Sequence, residues 1–580
     1  MKHKITLLII EVLKNLKIEE SNFSVEHPDD FKNGDYSTNV AMICAKKIGK
    51  NPRELAEKIV EELNKNLPKE IEKIEVAGAG FINFYLSREF FTYSINKILE
   101  EKENWGKNNI LHGKKIMVEY TDPNPFKPFH IGHLMTNAIG ESISRIVEFS
   151  GAEIVRANYQ GDVGPHVAKA IYGLIKFGVP SGDETVSEQA QYIGRCYSQG
   201  SNLYDTDENA KKEIEIINKK IYERSDEEIN KIYDWGRQVT LDAFEEIYKL
   251  LGTKFKDGCY FFESTMAPIG EKIVRENIGK VFDESDPTPE QAENGQRGAV
   301  VFHGENYDKK LHTRVFINSQ GLPTYETKEI GLTVTKFEKE NPDISIVVTA
   351  TEQAEYMKVV QKAISLIHPD FESRMKHITH GMMKFASGKM SSRKGNIVTG
   401  ESLLHDSMDI VLEKVKDREL TDDEKKEISK IVGVSALKYS ILKSSLGSDI
   451  VYDFEKSISF EGDSGPYLQY TAVRANSIIS KSEDFDYRDK LDIPAEITEL
   501  EKFIYQFPEI VEYSYLQLEP HHVATYLIHM ASAFNSFYGN TKILVDENKY
   551  ANYHLKLVQA FYQTMKNGLW LLGIETPEKM

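Results

Sequence analysis

IMVEYTDPNPFKPFHIGHLMTNAIG, residues 116–140, decides the fold. Its opening, Ile116 to Tyr120, is apolar and compact enough for a buried strand. The turn-rich TDPNPFKPF that follows places prolines at Pro123, Pro125 and Pro128, which no regular element tolerates. From His130 the apolar residues recur at helical spacing, on through Ile143 and Ile146, so a helix opens there. Strand, loop and helix in that order are the unit of an α/β fold.

The start of this helix carries chemistry. His130 and His133 stand three apart, a spacing that shares one helical face, and the first turn offers unpaired N–H groups at the positive end of the helix dipole. A triphosphate can be held there. Gly132 between them lets a flat base approach the backbone. Some 250 residues on (residues 388–395), GKMSSRKG sets Lys389, Met390, Ser391 and Ser392 between two glycines. Read alone, this is a solvated basic loop. Read with the histidine pair, it is a loop that closes over pyrophosphate, whose charge grows as the α-phosphate is attacked.

Outward from these segments the chain divides. A length of 580 residues exceeds one ordinary core and points to two to four domains. Residues 1–110 read as an α+β unit, with a helix over Pro52 to Leu63 and an alternating strand over Val76 to Leu86. Gly78-Ala79-Gly80 is no dinucleotide loop, because strand rather than helix follows it. The polar stretch Asn104 to Lys115 marks a boundary. Residues 111–420 form the α/β domain, with a helical, acidic insertion over about 181–300. Gly298 to Tyr325 returns to short strands and turns. Residues 421–580 are nearly all helical, with apolar 3.6-type spacing in Ile431 to Leu446, Tyr467 to Ile479, His521 to Tyr538 and Tyr553 to Leu572.

Composition narrows the function classes. Apolar residues at 40% and charged residues at 28% describe a globular chain. The start, MKHKITLLIIEVLKNL, reads as an amphipathic helix, since Glu11 interrupts the apolar run and no cleavage site follows. No run is long enough for a membrane span, and no membrane partner is expected. Cys44, Cys196 and Cys259 are odd in number and far apart, which fits packing residues in a reducing cytoplasm. The net charge of −18 opposes nucleic-acid binding as a whole, so any RNA contact must use local basic patches. His521, His522 and His529 lack an acidic or Cys partner at ligand spacing, so no metal site is expected. P-loop, HExxH and GxSxG patterns are absent.

The two chemical segments resemble the HIGH and KMSKS motifs of class I aminoacyl-tRNA synthetases, and within that class the chain resembles the arginyl-tRNA synthetases. Residues 118–140 look like that family's version of the first motif. The similarity continues in GDYSTNVAMICAKKIGKNPRELA (residues 34–56), NYQGDVG (158–164), PTYETKEIG (323–331), GPYLQYTAVRANSI (465–478) and KNGLWLLGIETPEKM (566–580). It therefore spans essentially the whole chain. Ser392 stands where the class motif has its second lysine, and the resemblance implies that Lys127 supplies that cation.

The resemblance implies further expectations. The fold is a Rossmann-type parallel sheet with an N-terminal α+β domain that contacts tRNA and a C-terminal all-α anticodon-binding domain. His130, His133, Lys127 and Lys389 stabilise phosphate charge, and Gly132, Met390, Ser391 and Ser392 join them around ATP. Arginine is taken by Glu119, Asn124, Tyr325, Glu329 and Gln353, with the two acids facing its planar, permanently charged guanidinium. The family usually has Asp where this chain has Glu329, which adds a methylene. Tyr470 and Tyr538 are candidates for stacking on anticodon bases. The partners are tRNA(Arg), L-arginine and ATP with Mg²⁺, and no tightly bound metal or organic cofactor is expected. DNA is not among the partners, and a cytoplasmic monomer is expected. Another HIGH-bearing nucleotidylyl transferase, such as a pantothenate synthetase, a synthetase for a different amino acid, and a non-catalytic tRNA-binding or regulatory paralogue that keeps the fold remain as alternatives.

Overall fold

The computed structural model describes residues 1–19, 22–288, 297–386, 398–482, 492–545 and 548–580. The chain divides into two compact units: Met1–Gly106 with Thr471–Glu509 and Tyr526–Asn567, and Lys107–Tyr470 with Ile510–Thr525 and Gly568–Met580.

The first unit holds helices α1 (Lys2–Asn15), α2 (Val40–Ile48), α3 (Pro52–Asn64) and α4 (Arg88–Glu101). Its strands are β1 (Val25–Glu26), β2 (Tyr36–Thr38), β3 (Ile71–Ala77) and β4 (Phe81–Leu86), paired antiparallel in the order β1-β2-β4-β3. The Asn51 side chain accepts the Arg53 amide at 2.9 Å and Pro52 occupies the first turn, so α3 begins where the sequence places it. Leu55, Ile59 and Leu63 then face the core. The expected single strand over Val76 to Leu86 is instead a hairpin. Gly78 (φ +52°) and Gly80 (φ +122°) reverse the chain, and Val76 pairs with Ile82. Apolar alternation has the same period on both arms of a short hairpin, so only the glycine backbone marks the turn. Later segments complete this unit: Tyr36 Oη donates to Glu509 at 2.7 Å, and Arg88 is ion-paired with Glu501.

The second unit is built on a parallel sheet. Strands β5 (Lys115–Glu119), β6 (Glu153–Gln160) and β7 (Tyr260–Phe262) come first. A separate antiparallel sheet follows, β8 (Asp283–Glu284), β9 (Val300–His303) and β10 (Thr313–Ile317), and then β11 (Ile344–Ala350) and β12 (Met375–His380) rejoin the main sheet. The order is β12-β11-β5-β6-β7 with every pairing parallel. Met117 and Val118 of β5 are fully buried, as strands covered on both faces must be. The chain runs outward from β5 through β6 to β7, then returns to β11 on the other side of β5. That reversal is a Rossmann switch point, and ligands bind there at the carboxyl ends of the strands.

Helix α5 (Ile131–Phe149) connects β5 to β6. After α6 (Pro165–Phe177), the acidic stretch forms α7 (Val186–Thr206), α8 (Glu208–Glu223) and α9 (Glu227–Leu251), which share one core with α6 through Val167, Ile171, Ile193, Ile214 and Ile229. The sheet resumes at β7. Then come α10 (Glu263–Glu276), α11 (Tyr325–Glu340), α12 (Ala354–Ile367), α13 (Gly400–Val415) and α14 (Asp422–Leu442). A short parallel pair, β13 (Met383–Phe385) and β14 (Ile450–Tyr452), brackets the last two. The helical spacing read beyond α14 is realised as helices Gly465–Lys481, Phe507–Gln517, His521–Asn540 and Ala551–Leu571. Among the described residues no helix is long and apolar enough to cross a membrane, and the three cysteines are buried and form no disulfide.

Candidate active site

A cavity of about 590 Å³ opens at the switch point. It is lined from β5 and the loop after it by Glu119, Asp122, Asn124 and Lys127, from the start of α5 by His130, Gly132 and His133, and from α11 by Tyr325 and Glu329. Gln353, which precedes α12, lines it too. The cavity thus gathers every site residue predicted from the first motif and from PTYETKEIG. Lys389, Met390, Ser391 and Ser392 lie outside the described residues.

His130 and His133 meet differently from two residues on one helical face. His130 is the N-cap of α5: its Nδ1 accepts the His133 amide hydrogen at 3.3 Å, and His133 Nδ1 accepts the His130 amide hydrogen at 3.2 Å. This is a capping box made of two imidazoles. An accepting Nδ1 is unprotonated, so each neutral ring carries its proton on Nε2 and offers a donor. Surrounding protein and then the Lys127 ammonium hold the His130 pKa down to about 4, even though its ring edge reaches solvent. His133, buried, is held well below its ordinary value by burial, His130 and Lys127. Both are neutral donors at neutral pH. Their rings stack with centroids 3.4 Å apart. Gly132 makes this possible, since a Cβ there would lie 2.9 Å from His130 Cε1.

The loop between β5 and α5 is strained: Thr121, Asp122 and Phe126 all have positive φ (79°, 46° and 67°). It is held by the Asp122 carboxylate, which accepts the Tyr159 amide at 2.7 Å, and by Asn137 Nδ2, which donates to Thr121 Oγ1 at 3.0 Å. The half-buried Lys127 that follows has its pKa lowered, chiefly by burial. Downstream of the Lys389 segment, the Gly400 amide donates to Phe129 O at 2.8 Å. The chain leaving that segment is therefore tied to the backbone beside His130.

The acids are arranged by ion pairs that sequence reading missed. Glu119 receives Lys336 Nζ at 2.8 Å, and both are buried. Lys336 follows Glu329 by seven residues, two helical turns on the same face of α11, and that spacing is the signal that could have found it. Glu263 pairs with Lys328 at 2.9 Å, also buried. Among the described residues, buried Glu329 has no hydrogen-bond partner for Oε1, and its pKa is pushed up to about 7 by burial and then by the Glu119 charge. His166, at the cavity edge, lies with Nε2 2.8 Å from Gly161 O, and burial takes its pKa down to about 3. Asp162 fixes the neighbouring wall by accepting from Tyr233 at 3.1 Å, Arg237 at 3.0 Å and Ser264 Oγ at 2.8 Å.

The remaining candidates lie elsewhere. Tyr470 is half-buried with its ring edge-on to Phe460, while Tyr538 is exposed, stacked on Phe534, with the Arg474 guanidinium 5.4 Å from its ring. The histidine reading needs a correction. His521 and His522 do have an acidic neighbour, Glu519, whose Oε2 lies 2.8 Å from His521 Nδ1. The acid lies just before the helix that carries both histidines. His529 instead faces Phe503.

A parallel sheet in Rossmann order, with a capped HxGH pair at its switch point, is the catalytic fold of class I tRNA synthetases. Residues 94–454 match the family described as tRNA synthetases class I (R), catalytic domain; residues 468–580 match the DALR anticodon binding domain and residues 3–86 the arginyl tRNA synthetase N terminal domain. The chain belongs to the arginyl-tRNA synthetase family. It is 31% identical to the arginine–tRNA ligase of Clostridium perfringens over 99% of each chain, and 32% identical to that of Clostridium botulinum over 100% of each. Its fold matches Thermus thermophilus arginyl-tRNA synthetase with a TM-score of 0.82 at 22% identity, covering 100% of both chains. The Plasmodium falciparum enzyme gives 0.78 at 22% identity over 100% and 99%.

Proposed function

We propose that this protein is an arginine–tRNA ligase that activates L-arginine with ATP and transfers it to the 3′-terminal ribose of tRNA(Arg). The observation that carries this reading is a single cavity in which neutral imidazole donors at a helix start and a buried carboxylate, with one oxygen lacking a hydrogen-bond partner among the described residues, are brought together.

In the first step a carboxylate oxygen of arginine attacks the α-phosphorus of ATP, the bond to the β-phosphate oxygen breaks, and pyrophosphate leaves from arginyl-adenylate. Charge moves onto the pyrophosphate. The Nε2–H groups of His130 and His133, the first-turn amides of α5 other than the capped His133 amide, and the Lys127 ammonium are in place at the cavity before the reaction, so they stabilise that charge with little reorganisation. Lys389 and its serine neighbours join them in this reading on sequence grounds. Mg²⁺ arriving with ATP supplies further neutralisation of the phosphates. Glu329 and Tyr325 receive the guanidinium end, while Asn124 and Gln353 meet the α-amino group. In the second step the terminal 2′-hydroxyl attacks the activated carbonyl, its proton passes to solvent or to the departing phosphate, and AMP leaves. The C-terminal helices take the anticodon, with Tyr538 exposed and Tyr470 half-buried as stacking candidates. The enzyme works as a monomer in the cytoplasm.

The test is ATP–pyrophosphate exchange with each amino acid, with and without bulk tRNA. A signal with arginine in the presence of tRNA is expected. Activity with glutamate or cysteine instead would overturn the assignment.

A further inference from the structure

The two acids facing the arginine end of the cavity are not equivalent. Glu119 is 2% exposed and Lys336 1%, and their 2.8 Å contact takes up the carboxylate's charge. Glu329 is 7% exposed, and its Oε1 has no hydrogen-bond partner among the described residues. A buried oxygen left open at a cavity wall bears its desolvation cost unrelieved until a ligand donor reaches it.

We propose that of the two acids only Glu329 receives the cationic end of arginine, that Lys336 brings this about by occupying Glu119, and that each arginine bound displaces a proton from the site. The proposal rests on the arginine reading above and deepens it. A guanidinium keeps its proton at any working pH. A carboxyl group must therefore be ionised to meet it, and a protonated one must release its hydrogen to solvent as the guanidinium arrives. The balance is one arginine cation in and one proton out, with no bond made or broken in the ligand.

Every group facing Glu329 bears on which carboxyl holds that proton. Burial pushes Glu329 up to about 7, Glu119 adds to the push and Lys336 opposes it. Asp122, from the loop after β5, is also pushed up by burial and Glu119, yet it is engaged by the Tyr159 amide. Glu263, at the start of α10, is pushed up by burial but holds Lys328. Tyr159 of β6 and Tyr356 of α12 are raised well above their ordinary value and stay protonated. Lys336 and Lys328 are raised by their acids and stay charged. Lys376 of β12 lines the small cavity adjoining Glu329. Glu329 is thus the raised carboxyl with an oxygen still open.

Calorimetric titration of L-arginine into the full chain, with and without tRNA, in two buffers of unlike ionisation enthalpy, reads the proton directly. Nearly one proton should be released at pH about 6 and almost none at about 8, with affinity roughly tenfold weaker at the lower pH. Glu329→Gln should abolish the release and flatten the pH dependence, whereas Asp122→Asn should keep both. Lys336→Met should move the pH of half-release upward; should that variant not fold, Lys336→Arg should leave the release in place. L-Citrulline, whose side chain ends in a neutral urea, should bind without proton release. Arginine binding to the wild-type chain without release at pH about 6, or a release that survives in Glu329→Gln, overturns the proposal. A wild-type chain that binds no arginine under either condition removes the reading beneath it.

Discussion

His130 and Glu329 border one cavity, and both are neutral over part of the ordinary pH range, for mirror-image reasons. Burial and a neighbouring cation take the imidazole from 6.5 down to about 4, while burial and a neighbouring anion take the carboxyl from 4.5 up to about 7. Desolvation disfavours the charged form whatever its sign. The two differ in what a ligand asks of them. A phosphate oxygen meets an Nε2–H that is already in place, so no proton moves; a guanidinium requires Glu329 to give one up.

Substitutions at Lys336, His133, Glu329 and Gly132 break or sharpen this comparison, beginning with the largest effect. Lys336→Met leaves Glu119 buried and uncompensated, and should cost about 3–5 kcal/mol in urea unfolding. Adding Glu119→Gln should restore most of that loss; if it does not, Lys336 stabilises through packing rather than charge. His133→Ala removes a preorganised donor and should lower pyrophosphate exchange about 10²–10³-fold. A fall of less than about tenfold would assign the phosphate charge to the helix amides and lysines alone.

Glu329→Gln should raise the KM for arginine by about 100-fold, with a smaller change in kcat. An effect mainly on kcat would place this side chain in the transition state rather than in binding. The same variant carries a stability signature. A raised carboxyl contributes stability that is present below its unfolded value of about 4.5 and is lost as pH rises through about 7. In the absence of ligand, Glu329→Gln should therefore gain on wild type across that window. His166 has the opposite sign: depressed from 6.5 to about 3, it costs stability as pH falls through that range. The smallest effect on stability is expected of Gly132→Ala, whose methyl meets the His130 ring and loosens the cap by about 1 kcal/mol of stability, measured by thermal unfolding.

Much of this site was legible before any coordinates. The strand at Ile116, the helix from His130 and the helical C-terminal segments follow from apolar spacing, and the cavity gathers Glu119, Asn124, Lys127, His130, His133, Tyr325, Glu329 and Gln353 as the family motifs imply. Other features were hidden because their signals were weak or nonlocal. The hairpin at Gly78 to Gly80 keeps the alternation of a single strand. The imidazole capping box uses residue types that rarely cap, so its spacing was read as a helical face. Glu519 sits outside the helix that carries His521 and His522.

The linear order of residues by itself determined the family, the α/β class and the residue types at the site, because periodicity and short motifs are local properties of a chain. Only the tertiary structure decided that Lys336 belongs to Glu119, that Glu329 Oε1 is left open, and that both imidazoles commit Nδ1 to the cap and keep the proton on Nε2. Those outcomes depend on distances of about 3 Å between groups up to 217 residues apart and on the water excluded around them. Charge in a protein interior is set by such neighbours, and the chain does not carry them side by side.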